Sequence, residues 1–245
     1  MEFKMLGPLD VTGSGKKITI GAAKQQAILA VLLLRPAQVV TIDHLMAELW
    51  GEESPATAKT SLQTYVYRLR RALAPLEVCL ETCGAGYRLT VPDEAVDLRV
   101  FESSVAEVSS ALAQGRFPAA AGRLRDALSM WRGPLLAGVE TESVRLERQR
   151  LDEVRLNAQE LCLEAELGLG LHCQALPDLR RLVDAHPFRE SLWAKLMTAL
   201  AASGRRAEAL AAYRRVHGIL TAELGIEPDG DLRRLHERIL CGSRM

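Results

Sequence analysis

Two hydrophobic periods divide this chain. Near the N-terminus, short β-prone runs, Phe3 to Leu6 and Ile18 to Ile20, alternate with Gly7, Pro8, Gly13 and Gly15, which predicts a meander of short strands. From Ala23 to Leu34 the period becomes helical and nearly every position is apolar, as expected of a buried central helix; Pro36 stops it. Thr41 has the chemistry of an N-cap for the next helix, with His44 and Glu48 on its polar side, Leu45, Leu49 and Trp50 facing inward, and Gly51 at its end. Ser54-Pro55 opens a third helix that runs to Leu73, where Ala74-Pro75 breaks it. Val78 to Leu80 and Tyr87 to Val91 flank Gly84-Ala85-Gly86, the pattern of a hairpin. Three helices bracketed by strands and closed by a hairpin predict a winged helix over residues 1–92.

Pro92-Asp93-Glu94 reads as a junction, after which β character vanishes. Ala, Leu, Glu and Arg at helical spacing dominate, punctuated by Gly115, Gly133-Pro134, Gly168 to Gly170, Pro187, Gly204 and Pro228. Gly170 and Gly204 lie 34 residues apart, the tetratricopeptide period. Trp193, Leu196, Ala209 and Tyr213 fall at that repeat's signature positions, and Ala175 and Leu179 share the phase one period earlier. Met197 stands where a small residue is usual and Thr221 where a closing proline is, and Arg116 to Trp131 reads as a degenerate upstream pair. The fold class expected is therefore mainly α: a winged helix, then an all-α tetratricopeptide-like domain over residues 97–241. Such stacked helix pairs either present a concave surface for protein contacts or form a plain helical bundle.

Composition narrows the function only by exclusion. Lys+Arg and Asp+Glu are 31 each in 245 residues, so only the distribution of charge can point to a partner. Five scattered cysteines without C-x-x-C spacing argue against a disulfide framework and a zinc site, and for a reducing compartment. The N-terminus lacks a signal-peptide pattern and the longest apolar run, Ala27 to Leu34, is too short to span a bilayer, so no membrane partner is expected and a cytoplasmic location is.

Charge is concentrated on the third helix. With about 100° between successive residues, Leu62, Val66, Leu69 and Leu73 form one stripe, and Thr60, Thr64, Tyr67 and Arg71 point the opposite way, flanked by Gln63 and Arg68. From Ser54 to Leu76 there are four basic residues, Lys59, Arg68, Arg70 and Arg71, and no acid. Gln and Arg can bond base edges bidentately, while Thr, Tyr and further Arg reach phosphates or thymine methyls, so this face suits the DNA major groove. A surface helix can also be basic with its cations merely solvated. The context favours DNA, because the third helix of such a unit enters the major groove and the hairpin ending Gly86-Tyr87-Arg88 reaches the adjacent minor groove or backbone.

The stretches "GAAKQQAILAVLLLRPAQVVTIDHLMAELWGEESPATAKTSLQTYVYRLRRAL", "GAGYRL", "AVDLRVF", "ALSMWRGPLL" and "HPFRESLWAKLMTALAASGRRAEALAAYRRVHGILTAELGIEPDGDLRRLHERIL" resemble the Streptomyces antibiotic regulatory protein family over nearly the whole chain. The resemblance implies an effector winged helix like that of two-component response regulators, joined to a bacterial transcriptional activation domain. It further implies an activator of biosynthetic gene clusters that binds direct repeats near the promoter and engages RNA polymerase and its sigma factor. Direct repeats imply self-association on DNA through a head-to-tail contact. Carried onto this sequence, the recognition positions are Thr60, Gln63, Thr64, Tyr67, Arg68 and Arg71, with Lys59 and Arg70 as phosphate contacts and Lys24 near the DNA backbone. Glu81 and Cys83 depart from the family's more basic or proline-containing wing and leave Arg88 as its main cation.

No catalytic or cofactor chemistry emerges. "GSGKK" at 13–17 lacks the first glycine and the closing Ser/Thr of a phosphate loop, and His172-Cys173 has no second ligand pair. There is no G-x-S-x-G elbow, and Asp10 and Asp43 lack the receiver fold that would make either a phosphoacceptor. The chain ends soon after its last helix, from which no appended ATPase or sensor domain is expected. The competing reading is a tetratricopeptide adaptor whose winged helix contacts only protein.

Overall fold

A computed structural model describes residues 1–76 and 78–242. By packing, the chain forms two compact units: Met1–Ala106 with Asp126–Leu156, and Glu107–Arg125 with the chain from Asn157 onward.

The first unit begins with a three-stranded antiparallel meander, β1 (Glu2–Lys4), β2 (Asp10–Gly13) and β3 (Lys16–Lys17), in the order β1-β2-β3. The third strand lies slightly upstream of the Ile18 to Ile20 run, which continues only through the bond from Ile18 N to Val11 O. α1 (Ala23–Leu34) is the nearly all-apolar helix expected, with Ile28 to Leu33 at most 2% exposed. β4 (Val40–Thr41) leads into α2 (Ile42–Trp50), where the Thr41 hydroxyl accepts the His44 N–H as the N-cap. α3 (Ala58–Leu73) starts one turn later than Ser54-Pro55 suggests, because Pro55 and its neighbours form a turn in which Pro55 O accepts the Ala58 N–H.

Strands β5 (Cys79–Cys83) and β6 (Gly86–Thr90) form the hairpin, and β4 completes a second sheet in the order β4-β6-β5. Gly84, at φ 56°, takes the first position of a two-residue turn that excludes most side chains. A Cβ on Gly86 would lie 2.4 Å from Val40 O, so glycine is what lets β6 approach β4.

The segment around 131–151 also packs in this unit. Leu6 O accepts Arg132 N, Met5 O accepts Leu136 N, and Gly7 O accepts Ala137 N. Asp97, at the start of α4 (Asp97–Ala113), accepts the N–H groups of Met5 at 2.7 Å and Leu6 at 3.1 Å. Burial, the largest influence, pushes its carboxyl above the ordinary value despite those bonds and Arg132. Phe101 meets Trp131 edge-on, and Arg155 lies over the Trp131 ring.

The second unit draws on α5 (Phe117–Ser129), α6 (Glu142–Gly168), α7 (His172–Ala185), α8 (Glu190–Ala202), α9 (Arg206–Ile219) and α10 (Gly230–Cys241). The repeat seen in the sequence is a repeat of backbone geometry. Gly170 and Gly204 have φ of 77° and 76°. The bonds Leu169 N to Ala165 O, Gly170 N to Leu167 O and Leu171 N to Glu166 O recur 34 residues later as Ser203 N to Ala199 O, Gly204 N to Ala201 O and Arg205 N to Leu200 O. Gly115 and Arg116 close the turn before α5 in the same way, with Arg116 N bonding Ala111 O. Trp193, Leu196, Ala175, Leu179 and Ala209 are all buried, and Met197 fills the place of the small residue at 0% exposure. Where the closing proline is missing, the chain runs from α9 into a π turn and the Thr221 hydroxyl bonds His217 O. No helix of the described residues is long and apolar enough to cross a membrane.

Candidate nucleic-acid interface

α3 separates its chemistry by face. Leu62, Val66, Leu69 and Leu73 are at most 1% exposed, a stripe whose burial seats the helix on the core. The opposite face leaves Lys59, Thr60, Gln63, Thr64, Tyr67, Arg68 and Arg71 exposed, with Tyr67 at 60%. A tyrosine so exposed loses apolar contact with water only when a partner covers it. Among the described residues, Lys59, Arg68 and Arg71 have no hydrogen-bond or ion-pair partner in the chain, so their charge is uncompensated. The first turn of α3 has no acid and no capping side chain, which leaves the positive end of its dipole open to an anion. The Thr64 hydroxyl donates to Thr60 O at 3.0 Å, so it is committed to its own helix until it rotates.

The other predicted positions are placed differently. Arg70 turns towards the hairpin, donating from Nε to Leu80 O and from an Nη to Thr82 Oγ1, both at 2.8 Å, and lying near the Tyr87 ring. Two of its donor nitrogens thereby join α3 to the wing, while its charge, met by neutral acceptors, is retained. Lys24 donates to Leu49 O at 2.6 Å and sits 4.5 Å from the Trp50 ring centroid, where it ties α1 to the C-terminus of α2. Arg88 faces Glu81 across the β5–β6 ladder and binds one carboxylate oxygen from two nitrogens, at 2.7 and 3.2 Å. Those hydrogen bonds hold the Glu81 carboxyl below its usual value, so the pair stays ionised and the wing's main cation is neutralised. Cys79 and Cys83 alternate with Glu81 on the same strand face, and the hydrogen bond to Glu81 pushes the Cys79 thiol up.

Glu48 departs from its pattern. Periodicity puts it on the polar side of α2, yet its side chain is only 4% exposed and accepts the N–H of Ser143. No local signal reveals a partner 95 positions away; an acid on a short helix reads as solvated.

Comparison with known proteins assigns both halves. Residues 15–89 match the model for "Transcriptional regulatory protein, C terminal", and residues 96–240 match "Bacterial transcriptional activator domain". The regulatory protein DnrI of Streptomyces peucetius is 38% identical over 98% of this chain and 92% of its own length. The regulatory protein AfsR of Streptomyces coelicolor is also 38% identical over 98% of the chain, which spans 24% of that longer protein. The transcriptional regulatory protein EmbR of Mycobacterium tuberculosis shows the same 38% over 98% of the chain and 63% of its own length. A solved structure of EmbR in complex with a low affinity phosphopeptide superimposes with a TM-score of 0.93 at 38% identity, covering 100% of this chain and 66% of that one. With both domain models matched in order and DnrI alike almost from end to end, the chain belongs to the Streptomyces antibiotic regulatory protein family of transcriptional regulators.

Proposed function

We propose that this regulator is a sequence-specific DNA-binding activator of transcription, and not an enzyme, that residues 1–92 carry the DNA contact and residues 97–241 the activation domain, and that it acts in the cytoplasm. The observation that carries the reading is the outward face of α3: Thr60, Gln63, Thr64, Tyr67, Arg68 and Arg71 exposed together, with Lys59, Arg68 and Arg71 free of hydrogen-bond and ion-pair partners among the described residues. Gln63 and Arg71 have the donors and acceptors for base edges, and Lys59 and Arg68 suit flanking phosphates. Arg70, Lys24 and Arg88 each give part of their hydrogen-bonding capacity to partners within the chain, and their remaining donors can reach a phosphate. In their present arrangement they brace the helix and the wing that a duplex would meet.

By the same reading, the chain binds direct repeats near the promoter of a biosynthetic gene cluster, its protomers associate head to tail, and the helical domain engages RNA polymerase and its sigma factor. Membership of the family, whose resemblance implies these partners, supports this.

Electrophoretic shift on promoter fragments tests the DNA contact. Binding should fall steeply with salt, and Gln63→Ala and Arg71→Ala should weaken it. Variants that bind as tightly as the parent would remove α3 from the account. A chain that ignores both heparin and DNA would instead behave as a protein adaptor.

A further inference from the structure

α2 leads into the recognition helix, yet of its nine residues Leu45 alone is fully buried, with Ile42, Met46, Leu49 and Trp50 half-buried, so apolar packing fixes it only in part. Short helices of this kind take their position from tertiary anchors. At the N-terminal end of α2, Thr41 pairs with Gly86 of the wing and Ile42 N bonds Ala85 O at 2.9 Å. At the C-terminal end, Lys24 holds Leu49 O.

The remaining anchor is Glu48. Its carboxylate accepts the backbone N–H of Ser143 at 3.1 and 3.3 Å and also the Ser143 hydroxyl, while His44 Nε2 lies 3.2 Å away. Ser143 is the second residue of α6, whose first N–H groups have no acceptor within their own helix. The Thr141 side chain takes the Val144 N–H, as a local cap does. The Ser143 N–H is satisfied from α2 instead. A nearby aspartate could serve a helix N-terminus equally well; drawing the carboxylate from α2 means that satisfying α6 also fixes α2.

We propose that Glu48 is a positioning residue for DNA recognition, setting the attitude of α2, and through it of α3, by capping α6. The inference rests on the DNA-binding reading of α3. It makes the first turns of α6 part of the body that presents the recognition helix, and both lie in the same compact unit.

The test uses the full chain with duplexes selected by the wild type from a random-sequence pool, and a scrambled duplex as control. Glu48→Ala should lower affinity for the selected duplex by about tenfold or more, the scale of one lost bidentate base contact, and leave scrambled-duplex binding unchanged. Glu48→Gln, which keeps a carbonyl acceptor for the Ser143 N–H, should retain most of the affinity. Combining Glu48→Ala with Ser143→Asp returns a negative group to the end of α6 without a tie to α2. Its melting temperature should recover and its affinity should not. Recovery of both would show that Glu48 serves only the stability of α6 and would overturn the proposal. So would wild-type affinity in every variant at a temperature where circular dichroism shows them folded. If Glu48→Ala does not fold, Glu48→Gln and the double variant carry the comparison. A wild type that selects no duplex sinks the DNA-binding reading itself; a wild type that selects one while the variants match it sinks only the role of Glu48.

Discussion

Replacing Glu81 by glutamine should turn the wing from a neutral surface into a cationic one. In the native chain the Arg88 guanidinium is bound to Glu81, and the two side chains are 40% and 42% exposed. An ion pair that open to water adds little to stability, so melting should barely change. Its effect on DNA is larger. Each phosphate neutralised adds about −0.9 to the slope of log K against log salt, so one freed guanidinium meeting one phosphate tightens binding roughly eightfold at about 0.1 M salt relative to 1 M. Fluorescence anisotropy with a labelled duplex across a salt series reads both affinity and slope. Glu81→Gln should bind more tightly at low salt with the steeper slope, and Arg88→Ala in the same background should abolish the gain. Unchanged affinity and slope would place the wing away from the phosphates. Weaker binding would mean that Glu81 supports the hairpin and does not merely mask its cation.

The face of α3 yields separable effects: Gln63→Ala should cost about 1–3 kcal/mol of discrimination at one base pair, read by competition with singly altered duplexes. Lys59→Ala should weaken binding uniformly across sequences and flatten the salt slope by about 0.9. Asp97 has a folded-state pKa raised above its ordinary 3.8, so its contribution to stability is full below that value and is lost as pH rises through the folded one. Urea denaturation should therefore show the wild type gaining on Asp97→Asn as pH is lowered from neutral, and the opposite trend would contradict the assignment. Gly204→Ala places a side chain at φ 76° in open space, so the strain is conformational and should cost about 1–2 kcal/mol in the same assay.

Elements defined by their own residues are legible in the amino-acid sequence. The apolar run of α1, the Leu62 to Leu73 stripe, the Thr41 cap and the glycine turns 34 residues apart all rest on local periodicity or backbone freedom, and all stand where the pattern puts them. α3 starts later than its pattern suggests because Pro55 suits a turn as well as a first helical position. Periodicity does not reveal which charged side chains are already engaged. Lys24, Arg70 and Arg88 are the same residue types as Lys59, Arg68 and Arg71, but contacts with other elements bind the first three to Leu49, the hairpin and Glu81. Glu48 escapes the pattern for the same reason, because its partner lies on a helix that begins ninety-odd positions later.

Chemical protection of guanine N7 tests most directly whether the exposed face of α3 reads base edges. N7 lies in the major groove, and a side chain bonded to it blocks methylation. On a selected duplex, the wild type should shield a short run of guanines, and Arg71→Ala should restore methylation at one of them while the others stay shielded. Guanines that remain fully reactive under bound protein, or a pattern identical in wild type and Arg71→Ala, would contradict it.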